Sequence, residues 1–433
     1  MKHKIFKLFF ISSTLFLISC EGDKKPLEGK REDFISSLKP IHLARSKVKD
    51  IKLPKPIKNN VWEQSGYNES HVTNALSLNK SLSKKWEKSI NHGISSGQKM
   101  MPNMVANKDR IFSMNTQGEI FSFSKDGILL WQKETSPKDE KSKTLGGGLS
   151  CDKNTLIVTT SFGNVLAFKA DTGELLWDTA LISPIRGAAT LSQGKVFVIS
   201  ISNEISVLDI KTGIVLWQQQ GITEFSTLLG SASPCVIGDI VIVPYSSGEY
   251  CAYDIENGST LWTDTLTSSL KSDTYSSISH IRSNPIGETD KVFVISHGGK
   301  MVANDIKQGS RIWQKEVGGY LDAALAGDFL FMITHEQNLI AIEKTTGATK
   351  WQTSLPSLIK DAKNQKKVRF TAPLIANNQI IVTTNIGELL FINAENGTLK
   401  TTLKIDEKIN TTPMIIDNKL IMLSDDAKIS CFG

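Results

Sequence analysis

The chain has 433 residues of which 40% are hydrophobic, enough to bury a full core, and length alone suggests two or three domains unless the sequence repeats. Fifty Lys and Arg against 44 Asp and Glu leave a formal charge of only +6. The body of the chain holds no dense basic block with interleaved aromatics, which argues against nucleic acid as a partner.

In chain order, Lys2, Lys4 and Lys7 precede an apolar run over residues 8–18. That run is too short for a permanent transmembrane helix and reads as a secretory signal, residues 1–19. Leu17-Ile18-Ser19-Cys20 resembles a bacterial lipobox, so Cys20 is the expected lipidation site and mature N-terminus. Glu21 follows it where the inner-membrane retention signal has Asp, so the expected location is the periplasmic face of the outer membrane. Residues 20–60, rich in Lys, Ser and Pro (Pro26, Pro40, Pro54 and Pro56), read as a flexible tether spanning roughly 35 Å.

Residues 61–433 carry one repeated pattern. Gly-x-x-x-Trp occurs at Gly127/Trp131, Gly173/Trp177, Gly213/Trp217, Gly258/Trp262, Gly309/Trp313 and Gly347/Trp351, and Gly397 with Thr401 continues the series without Trp. Spacings of 46, 40, 45, 51, 38 and 50 residues fit propeller blades, each a four-stranded sheet that buries its faces only against its neighbours. Eight β-branched and aromatic runs begin near Arg110, Thr155, Lys195, Asp239, Lys291, Asp328, Gln379 and Lys419, and a third strand follows each. The expected fold is all-β: an eight-bladed β-propeller of antiparallel blades. The chain ends on a third strand, so the segment around Trp86 is expected to supply the missing fourth one and close the ring. The Trp residues read as packing between blades. Longer segments at 135–144, 267–285 and 360–369 read as extra loops, the last of them basic.

Beyond Cys20 the cysteines are Cys151, Cys235, Cys251 and Cys431. Cys235 falls on a first strand and Cys251 on a third, about 9–10 Å apart and too far for a disulfide, so buried free thiols are expected. Gly93-Ile-Ser95-Ser-Gly97 has the form of a hydrolase nucleophile elbow but lies in a loop before Pro102, outside the strand-turn-helix setting such an elbow needs. The seven His residues are scattered, without metal-ligand spacing, and Gly146-Gly147-Gly148 lacks the Lys of a phosphate loop. Asp425-Asp426 reads as a solvated turn. No catalytic, metal or cofactor site is expected.

Val61-Trp62-Glu63-Gln64-Ser65-Gly66-Tyr67-Asn68, Ile185-Arg186-Gly187, Thr223-Glu224-Phe225, the stretch 231–234 and the stretch 244–249 resemble segments of the BamB family of outer-membrane assembly lipoproteins. The resemblance runs from about Val61 to the C-terminus. It implies a non-catalytic scaffold of the β-barrel assembly (BAM) complex that binds the POTRA domains of BamA, associates with other BAM subunits, and assists folding and insertion of outer-membrane clients. It places BamA contacts at Ile185, Arg186 and Gly187, with Glu224 standing in for acidic residues that this chain lacks at Leu229, Gly230 and Ser231. The repeats also resemble those of dehydrogenases that hold pyrroloquinoline quinone and calcium in an eight-bladed propeller. A periplasmic quinone-dependent oxidoreductase is therefore the rival reading, against which stand the chain length and the lack of an adjacent Cys-Cys pair.

Overall fold

Each repeat turns one sequence unit into an antiparallel sheet whose first three strands are buried and whose fourth is not. In blade 1 the strands are Val105–Ala106, Arg110–Met114, Glu119–Ser124 and Leu129–Glu134, and burial falls away only in the last. The computed structural model describes residues 48–94, 101–136, 146–224, 228–267 and 278–433. Those residues form eight such four-stranded sheets, a β-propeller. Blades 1 to 7 span 105–134, 147–180, 190–220, 235–265, 286–315, 324–354 and 374–404. Blade 8 takes three strands from 414–432, and its outer strand is Lys84–Ser89, which pairs antiparallel with Lys428–Phe432. The closure expected around Trp86 is therefore the one observed.

The Gly-x-x-x-Trp pattern encodes contact between successive blades. Each Trp lies against the glycine of the next blade's outer hairpin: Trp131 on Gly173, Trp217 on Gly258, Trp351 on Gly397 and, across the closure, Trp86 on Gly127. A Cβ at Gly258 would sit 2.6 Å from the Trp217 ring, and the φ of +71° already favours glycine. The indole nitrogen then donates to a carbonyl of that neighbour, as Trp217 does to Ile255 at 3.0 Å and Trp262 to Ile306 at 2.8 Å. This explains why blade 7 has Thr401 in place of Trp. Its neighbour takes its outer strand from the other end of the chain and so has no outer hairpin for an indole to cover.

Every outer strand also carries a β-bulge at the residue preceding the Trp position. In blade 1, Ser122 pairs with Trp131 and Phe123 with Leu129, leaving Leu130 unmatched. The same skip occurs in all other blades, including the closing one, where Lys84 and Trp86 are paired and Lys85 is not. A bulge twists an exposed edge and blunts it against unwanted strand pairing.

Residues 48–60, assigned above to the tether, instead lie against the propeller. Ile51 is buried beside Ala324 and Phe329, and Ile57 bridges to Leu76. Proline excludes a regular ladder but not docking through single bridges, so the docked chain begins no later than Val48. From there to residue 77 it runs as a strap over the innermost strands, and the Trp-x-Gln motif has a physical role in it. Trp62 exchanges both backbone hydrogen bonds with Ala106 of blade 1, Cys151 of blade 2 donates to Glu63, and the Gln64 side chain bonds both the N–H and the carbonyl of Leu191 in blade 3. Val236 of blade 4 donates to Glu69 and Gly287 of blade 5 to Ser70. Leu76 pairs with blade 7 at Ile375 and Asn377, while Asn59 accepts from Asp417 at blade 8.

Cys151, Cys235, Cys251 and Cys431 are all buried free thiols, as expected. Burial pushes Cys251 up to about 12 and Cys431 up to about 11, which keeps them as inert apolar packing.

Candidate partner-binding face and central channel

The connections that enter the innermost strands gather at one end of the blades, with the hairpins between second and third strands. In blade 3 this connection contains Ile185-Arg186-Gly187, along which burial alternates. Ile185 points inward: it is fully buried among Ile157, Val165, Ala189 and Leu191 and forms a bridge with Ser200. It is the anchor of the loop, which corrects its expected place as a surface contact. Gly187 is buried too, with its carbonyl accepting from the Thr159 hydroxyl at 2.7 Å. A Cβ there would meet the Ser231 carbonyl of blade 4 at 2.9 Å. Arg186 faces the other way and is half-buried at the mouth of the central channel. The glycine run of blade 2 makes room for it, since a Cβ on Gly146 would come within 2.9 Å of the Arg186 Cα.

Glu224 is exposed on the connection leaving blade 3, while Phe225, Ser95, Gly97 and Cys20 lie outside the described residues. Sequence reasoning missed three apolar neighbours on the same set of connections: Ile182 at 92% exposure, Ile222 at 60% and Leu229 at 42%. The signal was present, because large aliphatic side chains in segments between strands answer to neither the helix nor the strand period. These loops are held in place. Asn203, buried at a φ of +62°, donates to the Ile222 carbonyl at 2.5 Å and accepts from Ser246 of blade 4. Leu228 donates to His280 Nδ1 at 3.0 Å, and Arg282 Nε donates to the Leu229 carbonyl at 2.7 Å. Burial, then the neighbouring Arg282, lowers His280 to about 4, so its ring is neutral and its Nδ1 is free to accept.

The channel has a volume of about 690 Å³ and is lined by the residues leading into each inner strand. Arg186, Arg282 and Arg369 reach it from alternate blades 3, 5 and 7, against Asp322 and Asp425. Asp322 is pushed up by burial, which outweighs the hydrogen bonds it accepts from the backbone and side-chain nitrogens of Asn284 at 2.8 and 3.0 Å. Asp425, expected in solvent, is half-buried and accepts from Asn410. Among the described residues no three His, Cys, Asp or Glu side chains are grouped to hold a metal ion. The loop 360–369 contains a helical turn at Ala362–Gln365, and its Arg369 is exposed.

A sequence model of the family described as outer membrane protein assembly factor BamB matches residues 79–353. The outer membrane protein assembly factor BamB of Moranella endobia is 20% identical over 326 residues, covering 74% of this chain and 82% of that protein. The crystal structure of BamB from Moraxella catarrhalis superposes with a TM-score of 0.68 at 19% identity, over 81% of this chain and 99% of that one. Quinohemoprotein alcohol dehydrogenase from Comamonas testosteroni has a TM-score of 0.67 at 10% identity, over 86% of this chain and 80% of that one, a likeness of fold alone.

Proposed function

The chain belongs to the family of outer membrane protein assembly factors BamB, and on that premise we propose that it is a non-catalytic, lipid-anchored subunit of the outer-membrane β-barrel assembly machinery. Acylation at Cys20 holds it at the periplasmic face of the outer membrane. Its end bearing the connections into the inner strands docks on the POTRA domains of BamA and so assists insertion of outer-membrane proteins. The observation that carries this reading is the set Ile182, Ile222 and Leu229, aliphatic side chains exposed on fixed loops of the face that presents Arg186. Apolar anchors beside a partly desolvated arginine are the composition of an interface core, with Glu224 suited to its polar rim.

As a scaffold the protein performs no bond chemistry. It offers a rigid surface, and the buried Ile185 and Gly187 fix where Arg186 stands. Purification of the native chain from membranes tests the proposal: BamA is expected to accompany it without quinone absorbance. Recovery without BamA and with a bound quinone would overturn the scaffold reading in favour of an oxidoreductase.

A further inference from the structure

The bulge residue of the outer strand occupies the same place in all eight blades and has no cross-strand partner in the register. Its identity divides the ring into two unbroken arcs. Blades 1 to 5 carry Leu130, Leu176, Leu216, Leu261 and Ile312, each 43–47% exposed. Blades 6, 7 and 8 carry Lys350, Lys400 and Lys85. Counted over whole outer strands, bulge residues included, the charge divides in the same way. Those of blades 1 to 5 together hold three basic and three acidic side chains, whereas those of blades 6 to 8 hold six lysines and one glutamate.

Two of the six lysines are engaged: Lys84 with Glu87 and Glu407, and Lys350 with Asp50. Lys85, Lys88, Lys400 and Lys404 are exposed, with no carboxylate within 4 Å among the described residues. The strap also reaches this arc, for the bulge lysine of blade 6 donates to the Val48 carbonyl at 3.1 Å and to Asp50 at 3.0 Å. Only 27 residues separate Val48 from Cys20.

We propose that the lysine-bearing outer arc of blades 6 to 8 lies against an anionic lipid surface, so that a short tether and a charged rim together orient the propeller, with its apolar arc turned away from the bilayer. The proposal rests on the acylation of Cys20. A compact ammonium suits a headgroup phosphate without a fixed geometry, and several lysines near an anionic surface act together.

The test uses the full mature chain on vesicles of phosphatidylcholine alone or with about a third phosphatidylglycerol, with amine-reactive footprinting read by mass spectrometry. Lys85, Lys88, Lys400 and Lys404 are expected to be protected several-fold on the anionic vesicles only, while Lys133 and Lys315 stay equally reactive on both. Protection should vanish at about 0.5 M salt, where charges are screened within a few ångströms. For unanchored chain, each of Lys85→Glu, Lys400→Glu and Lys404→Glu should weaken co-sedimentation with the anionic vesicles about five-fold or more. Equal reactivity of the two arcs on both vesicle types overturns the proposal, as does protection that follows added BamA and not the anionic lipid. The mass of the Cys20 peptide reports acylation separately, so a missing anchor is distinguished from a rim that ignores lipid.

Discussion

Two glycines of blade 4 isolate the energy of the contact between blades. Gly238 and Gly258 both have left-handed backbones, at φ of +57° and +71°. An alanine at either costs about 1 kcal/mol for its backbone. At Gly238 nothing lies within 4 Å of the added Cβ, so the cost should end there. At Gly258 the methyl would come 2.6 Å from Cε3 and 2.7 Å from Cδ2 of Trp217, about 1 Å inside van der Waals contact. The indole must swing away, losing its 3.0 Å bond to Ile255, worth about 1 kcal/mol, with roughly 1–3 kcal/mol more from overpacking. Gly258→Ala should therefore destabilise by about 3–5 kcal/mol against about 1 kcal/mol for Gly238→Ala. Urea unfolding of both variants beside the parent chain measures the difference. Equal midpoints for the two variants would refute the assignment of the glycine-tryptophan pair as the joint between blades.

Trp262→Phe, which removes the bond to Ile306, should cost about 1 kcal/mol more in thermal unfolding than Trp86→Phe, whose indole nitrogen has no partner among the described residues. Gln64→Ala leaves the N–H and carbonyl of Leu191 buried and unpaired, and should destabilise by about 2 kcal/mol while leaving the blades intact by circular dichroism. Asp264 accepts from Arg311 Nε and Nη2 at 2.8 and 2.7 Å and from the Tyr250 hydroxyl at 2.6 Å. Burial pushes this carboxyl up, but those bonds outweigh it and hold the group at about 2. Because its folded value is depressed, the stabilisation is complete above about pH 4 and is lost as pH falls through 2. Acid titration of melting temperature should show on the order of 1–2 kcal/mol lost in that window, and Asp264→Asn should remove that portion of the slope.

The blades were legible because one unit recurs with its turn glycine and its indole at fixed distance, and the closing strand because strands must balance in a ring. The strap was not: residues 48–60 have the composition of a tether, and their docking uses isolated backbone bridges that no side-chain period announces. Ile185 was misplaced because a motif read as a string does not show which residue of an extended loop faces inward. The exposed Ile182 and Ile222 lie where no pattern assigns a burial. Asp425 belongs to a turn by sequence, yet that turn closes over the channel and half-buries it.

The proposed docking of BamA on the face bearing Arg186 is open to titration of the purified POTRA domains of the same organism's BamA into the chain. Arg186→Ala should weaken binding by about 2 kcal/mol, some 30-fold, and Ile182→Asp with Ile222→Asp by at least as much, in variants that remain folded by circular dichroism. Lys133→Ala on the far outer strand of blade 1 should have no effect. Full affinity in folded variants of Arg186, Ile182 and Ile222 would contradict the account.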